Sequence, residues 1–399
     1  MKKPALLLAA LAILAGCQGN VTHHPMFEPS HYQVSSSYTT FDEYLQETEK
    51  QIRATRFFQS KDIDVEVRAN MPFELKPQVE LPTTRGILLV HGLADSPFSF
   101  VDVGKRLSEQ GYLVRTILLE GHGTRPGDMI TADHSNWEKL VARHVEMLKG
   151  EVDEVYLGGF STGGNLTYLH AIDDPAIKGL MLFSPGFQSD EPNAKYAPLA
   201  AFFVDWLYDV KPEQEFVYTR YMNTAAKGFG EYYKTSAASM KRLTNETFDR
   251  PTFMVLTEHD SVLEVELIRD LFRSQFTHPN NRLVWFGSQE SGLSGATRTI
   301  HSRVPELRIN SMSHMGMLFS PDNPYYGING PGRICRNGQQ AEGAFEYCFN
   351  GGEVWYGAYG TEEPNQVVAR LTFNPEFELM MEDLNTVFPT AQNPQTNTP

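Results

Sequence analysis

Short apolar runs separated by helical stretches constrain this chain more than any other feature. Residues 86–90, Gly-Ile-Leu-Leu-Val, are wholly apolar, and residues 112–119, 155–157, 178–183 and 252–256 read as further strands. A strand apolar on both sides is buried on both faces, as strands inside a parallel sheet are. Between the runs, residues 100–110, 136–149, 166–171 and 262–276 read as helices, with Val103 and Leu107, or Trp137, Leu140, His144 and Leu148, at helical spacing. This alternation predicts a mostly parallel, doubly wound α/β sheet. Right-handed crossovers then bring the loops that follow the strands to one sheet edge. At its margins, residues 41–58 read as a helix, 62–69 and 71–75 as strands of an entry hairpin or meander, and 282–286 and 306–309 as late strands around a polar loop at 287–303. Near the end, residues 367–372 suit a strand and 375–384 a helix.

One of these strands ends in Gly158-Gly159-Phe160-Ser161-Thr162-Gly163-Gly164. A serine in G-x-S-x-G suits a sharp strand-to-helix turn that lifts its Oγ above the sheet. Such a turn strains the serine backbone, so its neighbours must lack bulk. Upstream lie His91-Gly92-Leu93 and Gly121-His122-Gly123; downstream lie Glu258-His259-Asp260 and Ser313-His314.

With these motifs in this order, the chain resembles the α/β-hydrolases. The pattern is closest to the branch of monoacylglycerol lipases, carboxylesterases and serine aminopeptidases, over about residues 73–316. The resemblance implies Ser161 as nucleophile, Asp260 as the acid and His314 as the base. It also implies backbone N–H groups of Leu93 and Thr162 as oxyanion donors. His301 competes with His314 as base, and Glu258 is the fallback for Asp260. His91, His122 and His259 are expected to be structural. The chemistry needs each part: a neutral serine hydroxyl is a weak nucleophile, and a base oriented by a carboxylate must take its proton. No metal or organic cofactor is expected, and the implied substrate is a small acyl ester. A peptidase on the same scaffold and a non-catalytic ligand-binding protein are the rival readings.

Residues 186–250 interrupt the alternation and are rich in aromatics, including Tyr196, Phe202, Phe203, Trp206, Tyr208 and Tyr232. An insertion after the strand that follows the nucleophile is placed to form a lid, with residues 198–208 helical in character. An aromatic lid suits a lipid-like monoester, such as a monoacylglycerol or lysophospholipid.

Residues 1–16 read as a signal peptide, with Lys2 and Lys3 ahead of an apolar run. Leu14-Ala15-Gly16-Cys17 resembles the bacterial lipobox, which implies lipidation of Cys17 and a membrane anchor. Gln18 follows where inner-membrane retention would place aspartate, so the resemblance implies an outer-membrane lipoprotein of a Gram-negative cell. Residues 17–40 then read as a tether, 41–320 as the hydrolase domain, 321–387 as an irregular appendage and 388–399 as a disordered tail. No later segment has eighteen apolar residues in a row, so the rest is expected to be soluble.

In an oxidising compartment, Cys335 and Cys348 form an even pair, and a disulfide between them is expected. The formal charge of −15 becomes −17 once Lys2 and Lys3 leave with the signal. That sign argues against nucleic acid as a partner.

Overall fold

The computed structural model describes residues 23–32, 37–339 and 341–389. Cys17 and the signal region lie outside the described residues. The chain folds as helix α1 (Phe41–Thr55) and α2 (Ile63–Asn70), then strands β1 (Glu74–Leu75) and β2 (Arg85–Val90). Next come α3 (Val101–Glu109), β3 (Tyr112–Ile117), α4 (His134–Lys149), β4 (Glu154–Phe160), α5 (Thr162–Asp173) and β5 (Ile177–Phe183). After the insert and its helix α6 (Ala226–Leu243) come β6 (Thr252–Thr257), α7 (Val265–Gln275) and β7 (Arg282–Gly287). The remainder holds β8 (Gly292–Ser294), β9 (Thr297–His301), β10 (Trp355–Gly357), β11 (Val368–Arg370) and α8 (Phe377–Val387).

The main sheet runs β1-β3-β2-β4-β5-β6-β7-β9-β8. Its edge strands β1 and β8 pair antiparallel and the others parallel. This is the expected α/β-hydrolase fold. Strand residues alternate between two cores, as a pleated strand requires. Leu88, Val90, Leu157, Leu180, Leu182, Met254 and Leu256 pack toward one core, shared with Trp137 and Val141 of α4. Ile87, Leu89, Met181, Phe183, Phe253 and Val255 pack toward the other, shared with Val103 and Leu107 of α3. That second core also takes Phe377, Met380 and Leu384 of α8. The last helix is therefore integral to the hydrolase body, and not part of an appendage over 321–387. Phe388, expected in a disordered tail, is buried against Tyr156.

Several local expectations are corrected. Residues 62–69 are helical rather than extended: their alternating Ile63, Val65, Val67 and Ala69 mimic a strand. Asp62, however, caps the first turn by accepting a hydrogen bond from the Val65 amide, and Glu66 is wholly buried against Arg56. The polar loop at 287–303 contains the β8–β9 hairpin, which extends the sheet. Residues 306–309 form no strand, because Pro305 starts a 3-10 turn over Pro305–Leu307 and Arg308 is left-handed. In the insert, α-helix is confined to Ala197–Ala200 and α6 rather than spanning 198–208, beside short 3-10 turns at Ala194–Tyr196 and Pro212–Gln214.

The tether expected over 17–40 is corrected for residues 23–32, which are docked. Met26 and Phe27 are buried in a 3-10 turn, Phe27 meets the Trp206 ring, and the Ser30 amide donates to Asp128. Polar composition hid two apolar side chains that suffice to seat the segment. Among the described residues, no helix is long and apolar enough to cross a membrane.

Cys335 and Cys348 form a disulfide with Cα atoms 5.6 Å apart. It anchors a small core with Val354 and Ala369, beside the parallel pair β10–β11.

Candidate active site

Ser161 sits between β4 and α5 with φ +53° and ψ −116°, a left-handed backbone that a non-glycine residue adopts only under constraint. The glycines explain how the turn closes. A Cβ on Gly163 would fall 1.9 Å from the Val90 carbonyl oxygen, and one on Gly159 would fall 2.3 Å from the Gly163 carbonyl carbon. The Ser161 carbonyl accepts from the amides of Gly164 and Gly186, which pins the elbow to the start of the insert. Thr162 opens α5, where the first-turn amides have no intrahelical acceptor.

The His91-Gly92-Leu93 turn lies against this elbow. A Cβ on Gly92 would meet Ser161 Cβ at 3.1 Å. Two buried histidines hold the turn. His91 Nε2 accepts from the Leu119 amide at 3.1 Å, while its Nδ1–H donates to the Gly92 carbonyl. His122 Nε2 accepts from the Ala94 amide at 3.0 Å, and its Nδ1–H donates to the Glu120 carbonyl. Burial first, and then the proximity of His122, push His91 well below its ordinary pKa. Burial likewise lowers His122 to about 4. Both rings are therefore neutral scaffolding at physiological pH.

Asp260 and His314 come together. The His314 Nδ1–H donates to Asp260 Oδ2 at 2.6 Å, and the Asp260 side chain is wholly buried. The other carboxylate oxygen accepts from the Val262 amide at 2.9 Å, so both oxygens are oriented. With Nδ1 committed, Nε2 is the nitrogen left to accept a proton. The His314 ring lies 4.9 Å from that of Phe160, the residue before Ser161. The flanking Ser313 donates to the Leu371 carbonyl and accepts from the Gly316 amide, which ties the histidine loop to the end of β11.

The alternatives lie elsewhere. Glu258 is exposed and accepts from both the amide and the hydroxyl of Ser288. His301 is exposed on β9. His259 is exposed as well.

Sequence reading missed two charged residues beside the site, Arg220 of the insert and Arg370 of β11. An Nη1–H of Arg220 points at Met315 Sδ, 3.0 Å away. Arg370 donates to Asn337 Oδ1 at 2.7 Å and stacks over Tyr359. No motif surrounds either residue; only the fold brings them to His314. One cluster with metal-ligand character, Asp133, His134 and Glu231, occurs among the described residues. Lys227 and Lys234 already pair with Glu231 there, which neutralises the charge that a cation would need.

The strand order and the strained serine elbow define the α/β-hydrolase fold. A family model described as serine aminopeptidase, S33 (Hydrolase_4) matches residues 82–269, a span that holds Ser161 and Asp260 but ends before His314. The chain is 33% identical over 96 residues to a thermostable monoacylglycerol lipase of Bacillus sp. (strain H-257), covering 24% of this chain and 38% of that protein. Among solved structures, a metagenome-derived lipolytic enzyme from work on LipS and LipT aligns with TM-score 0.45 and 21% identity, over 56% of this chain and 88% of its own. A monoacylglycerol lipase of Paleococcus ferrophilus aligns with TM-score 0.44 and 17% identity, over 58% of this chain and 90% of its own.

Proposed function

We propose that this chain is a serine hydrolase that cleaves carboxylic esters, with Ser161 as nucleophile, His314 as base and Asp260 as the orienting acid. The observation that carries the reading is the 2.6 Å pairing of His314 Nδ1 with buried Asp260, beside a serine held at φ +53°. In this mechanism, His314 Nε2 takes the Ser161 proton as Oγ attacks the ester carbonyl. The developing oxyanion is met by the amides of Leu93 and Thr162, and loss of one such donor typically costs about 3 kcal/mol of transition-state stabilisation. His314 then protonates the leaving alcohol, and water, activated by the same nitrogen, releases the acid from the acyl-enzyme.

Lipid-like monoesters are the proposed substrates. In support, the insert exposes Tyr196, Leu199, Phe202 and Phe203 within one short stretch, with Phe202 at 87% exposure. Apolar side chains so placed favour contact with a lipid phase. Fluorophosphonate labelling tests the nucleophile: the wild type should label and Ser161→Ala should not. Absence of labelling in the folded wild type sinks the reading. Rates on esters of rising acyl length test the substrate class, and a preference for acetate over octanoate would count against lipids.

We also propose that lipid on Cys17 anchors the enzyme to the outer membrane. Five residues lie between Cys17 and His23, where the described chain begins, and allow a span of at most about 20 Å. Cys17→Ser should move the protein from the membrane to the aqueous fraction; unchanged membrane association defeats the anchor.

A further inference from the structure

The residues on either side of His314 are tied to two arginine-bearing segments from different parts of the chain. Ser313, on one side, donates to the carbonyl of Leu371, the residue after Arg370. Met315, on the other side, carries the sulfur that Arg220 points at. The insert supplies one arginine and the disulfide-bearing segment the other.

Neither guanidinium has an ion-pair partner within 4.0 Å among the described residues. Arg370 is half-buried, and its guanidinium meets a neutral amide oxygen and an aromatic face. Burial first, and then the positive charge of Arg220, lower its pKa to about 10, while Tyr359 and Asp260 act in the opposite direction. The carboxylates nearest this pair are already committed. Asp260 is bonded to His314 and the Val262 amide, and Asp95 to Ser99 and the Ser96 amide. A third arginine, Arg336, donates to Asn223 Oδ1, and the buried Glu215 beneath it accepts three hydrogen bonds from Met222 and Asn223.

Partly buried charge without a counter-ion is unfavourable, and two like charges set near each other add to the cost. Asp95 lies within electrostatic reach of Arg220 and Asp260 within reach of Arg370, but neither carboxylate forms an ion pair with its arginine. Planar guanidinium forks match the geometry of phosphate and carboxylate oxygens.

We propose that Arg220 and Arg370 form an anion subsite beside His314, which selects esters bearing a phosphate or carboxylate group close to the scissile bond. This inference rests on the ester-hydrolase reading and refines its substrate class. An aminopeptidase substrate, with its free ammonium group, would be repelled at the same place.

The test compares three decanoyl esters on the full chain at low ionic strength: decanoylglycerol, its glycerol phosphate counterpart, and a counterpart bearing a carboxylate. The expected result is a kcat/KM at least tenfold higher for one or both anionic esters, and the phosphate and carboxylate arms show which anion is read. Arg220→Gln and Arg370→Gln should each reduce kcat/KM on the preferred anionic ester at least tenfold more than on decanoylglycerol, while Arg370→Lys retains part of the preference. Inorganic phosphate should bind the wild type in calorimetry and bind Arg370→Gln more weakly. That readout does not depend on turnover, so an enzyme inactive on every ester would refute the hydrolase reading and leave the subsite tested. A wild type with no preference for either anionic ester and no phosphate binding overturns the subsite. So does a preference unchanged in both glutamine variants. Thermal melts of each variant separate loss of the subsite from loss of the fold.

Discussion

Asp260 and Glu258 are two residues apart, yet they face different partners. Asp260 is buried against His314, whereas Glu258 is exposed and bound to Ser288. A carboxylate that sets the histidine tautomer and stabilises the imidazolium has a large effect on turnover. Asp260→Asn should therefore lower kcat by roughly 10⁴-fold, whereas Glu258→Gln should leave it within about twofold, since a surface substitution moves little. Ester hydrolysis rates of the two purified variants check this, and equal losses would reject the assignment. The serine elbow and its glycines were legible in the sequence because the turn leaves a local signature. A Cβ on Gly163 would strike the Val90 carbonyl, so the motif itself records the close approach. Asp260 was preferred to Glu258 only through the family resemblance, because the path of a loop after a strand is not written in residue type.

At the scale of elements, charged residues join pieces that hydrophobic patterning leaves unconnected. Arg56 at the end of α1 donates to Glu66 of α2, to the Gly123 carbonyl beside His122 and to the Tyr218 carbonyl of the insert. Glu231 of α6 accepts from the amide and ring of His134 and pairs with Lys227 and Lys234. Burial raises the Glu231 pKa, but the lysines and His134 outweigh it and bring it from 4.5 down to about 2. A carboxyl depressed in the fold contributes stability that is present above its unfolded pKa and lost as pH falls toward its folded one. The melting temperature of the wild type should thus fall between pH 4.5 and about 2, and Glu231→Gln should show a shallower fall over the same window. Parallel melting curves for the two proteins would remove Glu231 from the account. The misread entry hairpin belongs to this scale as well. Ile63, Val65, Val67 and Ala69 alternate as a strand would, and the Asp62 cap together with the buried Arg56–Glu66 pair decides for a helix.

Taken as a whole, the molecule is a hydrolase sheet with two additions that meet at His314. One is the insert after β5, which delivers Arg220. The other lies between His314 and α8, contains the disulfide, and delivers Arg370 through β11. A disulfide closing a loop of this size is worth about 3 kcal/mol. Reduction, or the paired change Cys335→Ser with Cys348→Ser, should speed hydrogen exchange across residues 333–370 far more than in β4 or β6. Uniform exchange changes across the sheet would show that the segment is not an independent unit. The last helix lies beyond this segment in sequence but inside the second core in space, so the hydrolase body closes only once the chain has passed through it.

Sequence alone determined the parallel sheet and the serine elbow. A strand buried on both faces, or a turn too tight for a Cβ, imposes its demand on the residues that form it. Tertiary structure alone showed the Asp260–His314 pairing, where residues 23–32 dock, and that Arg220 reaches Met315 while the residue after Arg370 bonds Ser313. Those relations join residues far apart in the chain, and no local property of either partner encodes the meeting.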